Sequence, residues 1–171
     1  FYKIFSQTGH QAIDDIWGLG HKSGLHFDAS LYTNEELESA AEWELGCLQC
    51  LTGRKVEMVS FHRPAKFLLG RKKPLAGRCH SYQPQFFEKM AYCSDSRGCW
   101  NYGHPHNLKA VQERRALQLL THPIWWTKNN ITGPVPILDQ FANDRHLCMK
   151  KEIARNCEPY SHAYPTLLDM D

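Results

Sequence analysis

Long apolar runs are missing from this chain of 171 residues. No stretch approaches the roughly 20 apolar residues that a membrane-spanning helix requires. Net charge is equally scarce, with 20 Lys and Arg against 18 Asp and Glu, a balance of +2. So small an excess excludes the broad basic footprint by which proteins hold nucleic acid or an anionic membrane surface. Repeats and low-complexity tracts are absent, which excludes solenoids and extended linkers. A second CxxC is lacking as well. Cys47 and Cys50 form the one such pair, so paired motifs cannot assemble a four-thiolate zinc site. Cysteine is nevertheless present, seven times, an odd number. The chain is larger than a small secreted disulfide scaffold, and reduced, mostly structural thiols in a cytoplasmic protein are expected. Phe1 to Phe5 carries no initiator Met and reads like the middle of a fold, so the natural protein is expected to begin upstream.

What is present is a composition, 42% hydrophobic and 22% charged, suited to a single globular domain over 1–171. Apolar positions at Ala12, Ile13, Ile16, Trp17 and Leu19 predict a helix over 11–19, punctuated by Gly18 and Gly20. Ser23 to Phe27 predicts a short strand. Asn34 is the expected N-cap of a helix reaching Leu51, with Leu37, Ala40, Ala41, Leu45 and Leu48 on one face and Gly53 closing it. Val56 to Phe61 predicts a second strand, rich in β-branched and aromatic residues. A basic loop from Gly70 to Arg78 follows, its Arg71, Lys72 and Lys73 expected to be solvated. Pro84 to Lys89 predicts a short helix, Met90 to Cys93 a third strand, Ser94 to His106 a long polar loop and Asn107 to Arg114 a modest helix. Ala116 to Thr121 predicts the fourth strand, and 137–156 the last helix, opened by Pro136; from Glu158 a surface tail is expected. Strands alternating with helices predict an α/β fold with a mainly parallel sheet, open or closed into a barrel.

Each predicted strand ends in residues with chemical capacity. The ends are Leu25-His26-Phe27-Asp28, Phe61-His62-Arg63-Pro64, Ser94-Asp95-Ser96-Arg97 and Leu120-Thr121-His122-Pro123. His26 and His62 are 36 positions apart, His62 and Asp95 33, and Asp95 and His122 27. A strand–helix–strand unit takes roughly 30 residues, and successive parallel strands put their C-terminal ends on one side of the sheet. The spacing therefore predicts that His26, His62, Arg63, Asp95 and His122 share one edge. Histidines with a carboxylate suit a divalent metal, zinc first, which lowers the pKa of its bound water. A further histidine can protonate a leaving group. Arg63 keeps its charge at working pH and suits orientation of a carboxylate; Asp95 could hold Arg63 or a histidine. Trp100, Trp125 and Trp126 could wall a pocket. Plainer roles stand beside these: core-rim histidines, aspartates in turns or caps, and tryptophans that merely pack. His104-Pro105-His106 is expected to be an exposed loop rather than a second metal site.

Taken together, these segments resemble the polysaccharide deacetylase (NodB-like) family of carbohydrate esterases, across most of residues 9–127. The resemblance is to a bacterial subgroup with a histidine-arginine-proline motif and a histidine-proline-x-tryptophan-tryptophan motif. Gly20 to His26 resembles the segment carrying the metal-binding histidine, which makes His26 the ligand. Phe61 to Pro64 resembles the motif whose arginine, here Arg63, orients the catalytic base. Ser94 to Trp100 resembles the motif whose aspartate and tryptophan, Asp95 and Trp100, support the pocket. Leu117 to His122 resembles the motif whose leucine, Leu120, lines the acetyl pocket and whose histidine, His122, is the general acid. Trp125 and Trp126 complete the substrate wall. The family's second metal histidine falls at Ser30 here, where Asp28 or His62 could substitute. Its first motif, an aspartate-rich strand end, has no counterpart before Gly9. The resemblance thus implies an N-terminally truncated, incomplete and distorted (β/α) barrel. It implies a zinc-dependent removal of N-acetyl groups from a sugar or surface-polysaccharide precursor. A catalytically inactive carbohydrate-binding remnant, or another metal-dependent amidohydrolase, is the alternative.

Overall fold

The computed structural model describes residues 6–127 and 132–169. Phe1 to Phe5 lies outside them, as do Met170 and Asp171 of the expected tail. The chain forms two compact units, Phe1–Ala91 and Tyr92–Asp171.

In the first unit, helix α1 (Gln7–Gly18) starts earlier than its apolar spacing suggests, because Ser6 caps it by accepting from the Gly9 amide at 3.0 Å. It buries no residue. It is held instead by Trp17, whose indole N–H donates to Ser23 Oγ at 3.1 Å and whose ring lies 5.2 Å below the Arg54 guanidinium. Helix α2 (Leu37–Thr52) starts later than expected. Asn34 is not its cap. The Glu36 carboxylate folds back to accept from both the amide and the hydroxyl of Thr33, at 2.9 Å each, so the turn over 34–36 closes on itself before the helix begins. Gly53 ends α2 at φ 62°, as the sequence predicts for a left-handed cap.

Strands β1 (Leu25–Asp28), β2 (Met58–His62) and β3 (Cys79–His80) pair in that order, all parallel. Leu25 pairs with Val59, His26 with Ser60, Phe27 with Phe61 and Asp28 with His62. With a period of two, this register sends Leu25, Phe27, Val59 and Phe61 to one face and His26, Asp28, Ser60 and His62 to the other. The first face is buried with Leu37, Ala41 and Leu45 of α2 and with Leu68 and Leu75. Phe27 sits at the centre, stacked on Tyr32 with centroids 5.3 Å apart and edge-on to Phe61 at 6.3 Å. The two-residue strand β3 lies just beyond the predicted basic loop, and it brings the fully buried His80 beside Val59. A short helix α3 (Pro84–Phe87) follows, with Pro at its first turn.

In the second unit, β4 (Ala91–Ser94) and β5 (Leu117–Leu120) form a separate two-stranded sheet. The Asp95 amide donates to the Leu120 carbonyl at 3.2 Å, so both strands end at the same edge and run the same way. Between them lies the one-turn helix α4 (Lys109–Gln112). Helix α5 (Pro134–Asn156) has Pro in its first turn, two residues before the expected opening at Pro136. Within the expected surface tail, Glu158–Ala163 forms α6, and Leu167 beyond it is buried. The architecture is thus mixed α/β with short parallel strands in two small sheets. Among the described residues there is no closed barrel, and no helix is long and apolar enough to cross a membrane.

Candidate functional site

Each unit brings together two of the residues expected to act. In the first unit they are His26 and His62. Parallel pairing sets their strands side by side, and alternation turns both imidazoles to the exposed face. Their rings meet edge to face with centroids 5.6 Å apart. His26 Nδ1 is hydrogen-bonded to Ser60 Oγ at 2.9 Å, its register partner. Asp28, on the same face, caps the short turn Ala29–Leu31: its Oδ1 accepts from the Ser30 amide at 3.1 Å and the Ser30 hydroxyl at 2.6 Å. The Ser30 hydroxyl holds the Asp28 carboxyl below its ordinary range; the Ser30 amide and the charges of His62 and Arg63 act in the same direction. Arg63 is exposed and left-handed, at φ 51°. Pro64 follows it, and the proline ring disfavours the right-handed helical region for the residue before it.

In the second unit the joined residues are Asp95 and His122. Asp95 closes β4 and is 4% exposed. Its Oδ1 accepts from His122 Nδ1 at 2.7 Å and its Oδ2 accepts from the His122 amide at 3.0 Å. Both carboxylate oxygens are thus committed to one residue. The contact fixes the tautomer with the proton on Nδ1, so Nε2, on a side chain 44% exposed, is the nitrogen able to exchange a proton with a bound molecule. The chain turns sharply after Asp95, with Arg97 at φ 64° and Gly98 at φ 77°. A Cβ on Gly98 would come 3.2 Å from Pro134 Cβ, a tight approach, and the positive φ at this turn itself favours glycine; the Trp125 ring lies within ordinary van der Waals distance, at 3.6 Å. Trp125 and Leu120 are half-buried, whereas Trp126 is exposed. Trp100 lies edge-on to His104 at 5.6 Å, and His104 to His106 at 4.9 Å, on an exposed loop as expected.

Lys72 and Lys73 are exposed, as expected of a solvated basic loop, but Arg71 departs from that expectation: it is only 18% exposed and forms an ion pair with Glu38. Glu38 also accepts from the Ala76 amide at 2.7 Å. Gln83 Nε2 donates to the Lys72 carbonyl at 2.9 Å, and the Lys73 carbonyl meets His80 Nε2 at 3.1 Å. The reason is packing: Leu68, Leu75 and His80 are fully buried, so the loop backbone must find partners inside the protein.

A feature with little signal in the sequence is an apolar groove of about 1030 Å³ between β1 and α2, lined by Leu25, Leu31, Tyr32, Trp43, Leu48 and Leu51 among others. His26 and Asp28 belong to the same lining. Helical spacing had marked only the inner face of α2, and Trp43 stands on its outer side.

As for a metal, His26 and His62 supply two neighbouring imidazole donors of the type zinc takes. Among the described residues, no group of three or more His, Cys, Asp or Glu is gathered closely enough to hold an ion. The residues therefore fit a metal in part, by donor type and adjacency, without forming a full ligand set. No protein-family model matches the chain, and no significant match to a curated protein or to a solved structure is found.

Proposed function

We propose that the chain is a metal-dependent hydrolase of the polysaccharide deacetylase type, removing N-acetyl groups from a sugar or surface-polysaccharide precursor. The observation that carries this reading is the Asp95–His122 contact. A buried carboxylate that orients a half-exposed imidazole through both its ring and its backbone is the arrangement required of a general acid. In the imidazolium form, whose positive charge Asp95 stabilises, Nε2–H gives its proton to the departing amine and leaves a neutral ring. His26 and His62 are the proposed ligands of a divalent cation, zinc first, which when bound supplies an activated water. Arg63 orients a carboxylate, and Leu120, Trp100, Trp125 and Trp126 contact the sugar. An incomplete (β/α) barrel is the fold this reading implies. The proposal includes a cytoplasmic location, which seven cysteines without a disulfide suit.

The test is metal analysis of the purified protein together with acetate release from N-acetylated sugars. Stoichiometric metal that is lost in His26→Ala is expected. Acetate release should fall by roughly 10²- to 10⁴-fold in His122→Ala. Protein that carries no metal and releases no acetate under any loading condition overturns the reading. Sugar binding without acetate release would instead favour a non-catalytic carbohydrate-binding domain, for which the exposed Trp126 is the supporting feature.

A further inference from the structure

Leu31 is 71% exposed and Trp43 69% exposed, and both line the groove between β1 and α2. Large apolar side chains gathered around one concavity mark a binding surface more often than isolated exposure does. At about 1030 Å³ the groove stands at the upper end of the roughly 300–1,000 Å³ typical of small-molecule sites. Two of its polar groups, the Tyr32 hydroxyl and the Glu44 carboxylate, are occupied with each other at 2.8 Å. Apart from the Cys47 and Cys50 thiols and the Trp43 indole N–H, the remaining polar side chains of its lining are His26 and Asp28, on the strand that carries the proposed metal ligand. The groove is therefore continuous with the candidate site and otherwise apolar.

We infer that the substrate is an amphiphile, a sugar carrying a single alkyl, acyl or prenyl chain, with the chain lying in this groove and the sugar at His26 and Asp28. This rests on the deacetylase reading for the identity of the head group, but the groove can be tested apart from it. Burial of each methylene contributes roughly fourfold to affinity, so chain length is a direct probe. Cys47 and Cys50 also line the groove and carry exposed free thiols, whereas Cys79 and Cys157 are exposed outside it.

The experiment uses the full chain and the octyl and methyl glycosides of N-acetylglucosamine below micellar concentration. Affinity is followed by tryptophan fluorescence, and alkylation of each cysteine by peptide mass mapping. The octyl glycoside is expected to bind at least about tenfold more tightly than the methyl glycoside. It should also slow alkylation of Cys47 and Cys50 while leaving Cys79 and Cys157 unchanged. Both effects should disappear in the double variant L31S/W43S, whose substitutions sit on exposed side chains and whose helicity is checked by circular dichroism. Equal affinity for the two glycosides, or equal alkylation with and without them, overturns the inference. Octyl glucoside, which lacks an N-acetyl group, separates the two readings. Protection of Cys47 and Cys50 by octyl glucoside with no acetate released from any N-acetyl sugar keeps the groove and removes the deacetylase. Acetate released equally fast from methyl and octyl substrates keeps the deacetylase and removes the groove. Dimers that dissociate in L31S/W43S, with no alkyl-chain protection, would show the groove to be covered by a second copy and would also overturn the inference.

Discussion

Asp95 holds His122 twice, at the ring Nδ1 at 2.7 Å and at the backbone amide at 3.0 Å. The two residues are 27 positions apart, yet β4 and β5 end side by side. Asn at position 95 keeps the shape but presents an amide in place of one carboxylate oxygen, which favours the other histidine tautomer. Asp95→Asn is expected to lower acetate release by about 10²-fold or more, in kcat rather than KM. Nitrogen NMR of neutral His122 should show the proton on Nδ1 in the native chain and its partial transfer to Nε2 in the variant. A native spectrum with the proton on Nε2 would contradict the contact.

His80 makes stability depend on mild acid. It is fully buried, its Nε2 meets the Lys73 carbonyl at 3.1 Å, and its Nδ1 has no hydrogen-bond partner. Burial pushes its pKa below the ordinary 6.5, and the nearby Arg71 pushes the same way, while Glu38 and the Lys73 carbonyl oppose. The folded state thus favours the neutral ring. Its contribution is fully present above the unfolded pKa and is lost as pH falls from about 6.5 through the lower folded value. Thermal melting from pH 8 to pH 5 should decline over that window in the native chain, and His80→Gln should flatten the decline. A native curve without slope between pH 7 and pH 5 would count against it.

Cys93 should be the unreactive thiol. Burial raises its pKa, and its S–H donates to the Gly103 carbonyl at 3.1 Å. Thiolate is the reactive form. Iodoacetamide is expected to label the six exposed cysteines of the native chain and to reach Cys93 only in denaturant. Labelling of Cys93 at the rate of Cys99 would refute this.

Phe27 anchors the core of the first unit, with no exposed surface and two aromatic neighbours. Phe27→Ala is expected to cost about 3–5 kcal/mol, read as a lowered urea midpoint by circular dichroism. His26, its neighbour on the other face, is exposed, and His26→Ala should change the unfolding free energy by under about 0.5 kcal/mol.

Much of this was legible in the residue order. The alternation Leu25-His26-Phe27-Asp28 and Val59-Ser60-Phe61-His62 by itself separates a core face from a face free for chemistry, because strand side chains alternate whatever the strands pair with. Gly53 marks the end of α2 because glycine alone enters the left-handed cap without cost. The strand-end positions of His26, His62, Asp95 and His122 follow from the same local patterns. Pairing is another matter. That His26 meets Ser60, that Arg71 is drawn onto Glu38, and that both oxygens of Asp95 close on His122 depend on register and packing between segments distant in sequence. The groove beside β1 is likewise a product of how a strand edge and a helix face come to lie together. Local sequence governs backbone preference over a few residues; distances between remote side chains are set only when the whole core is buried at once.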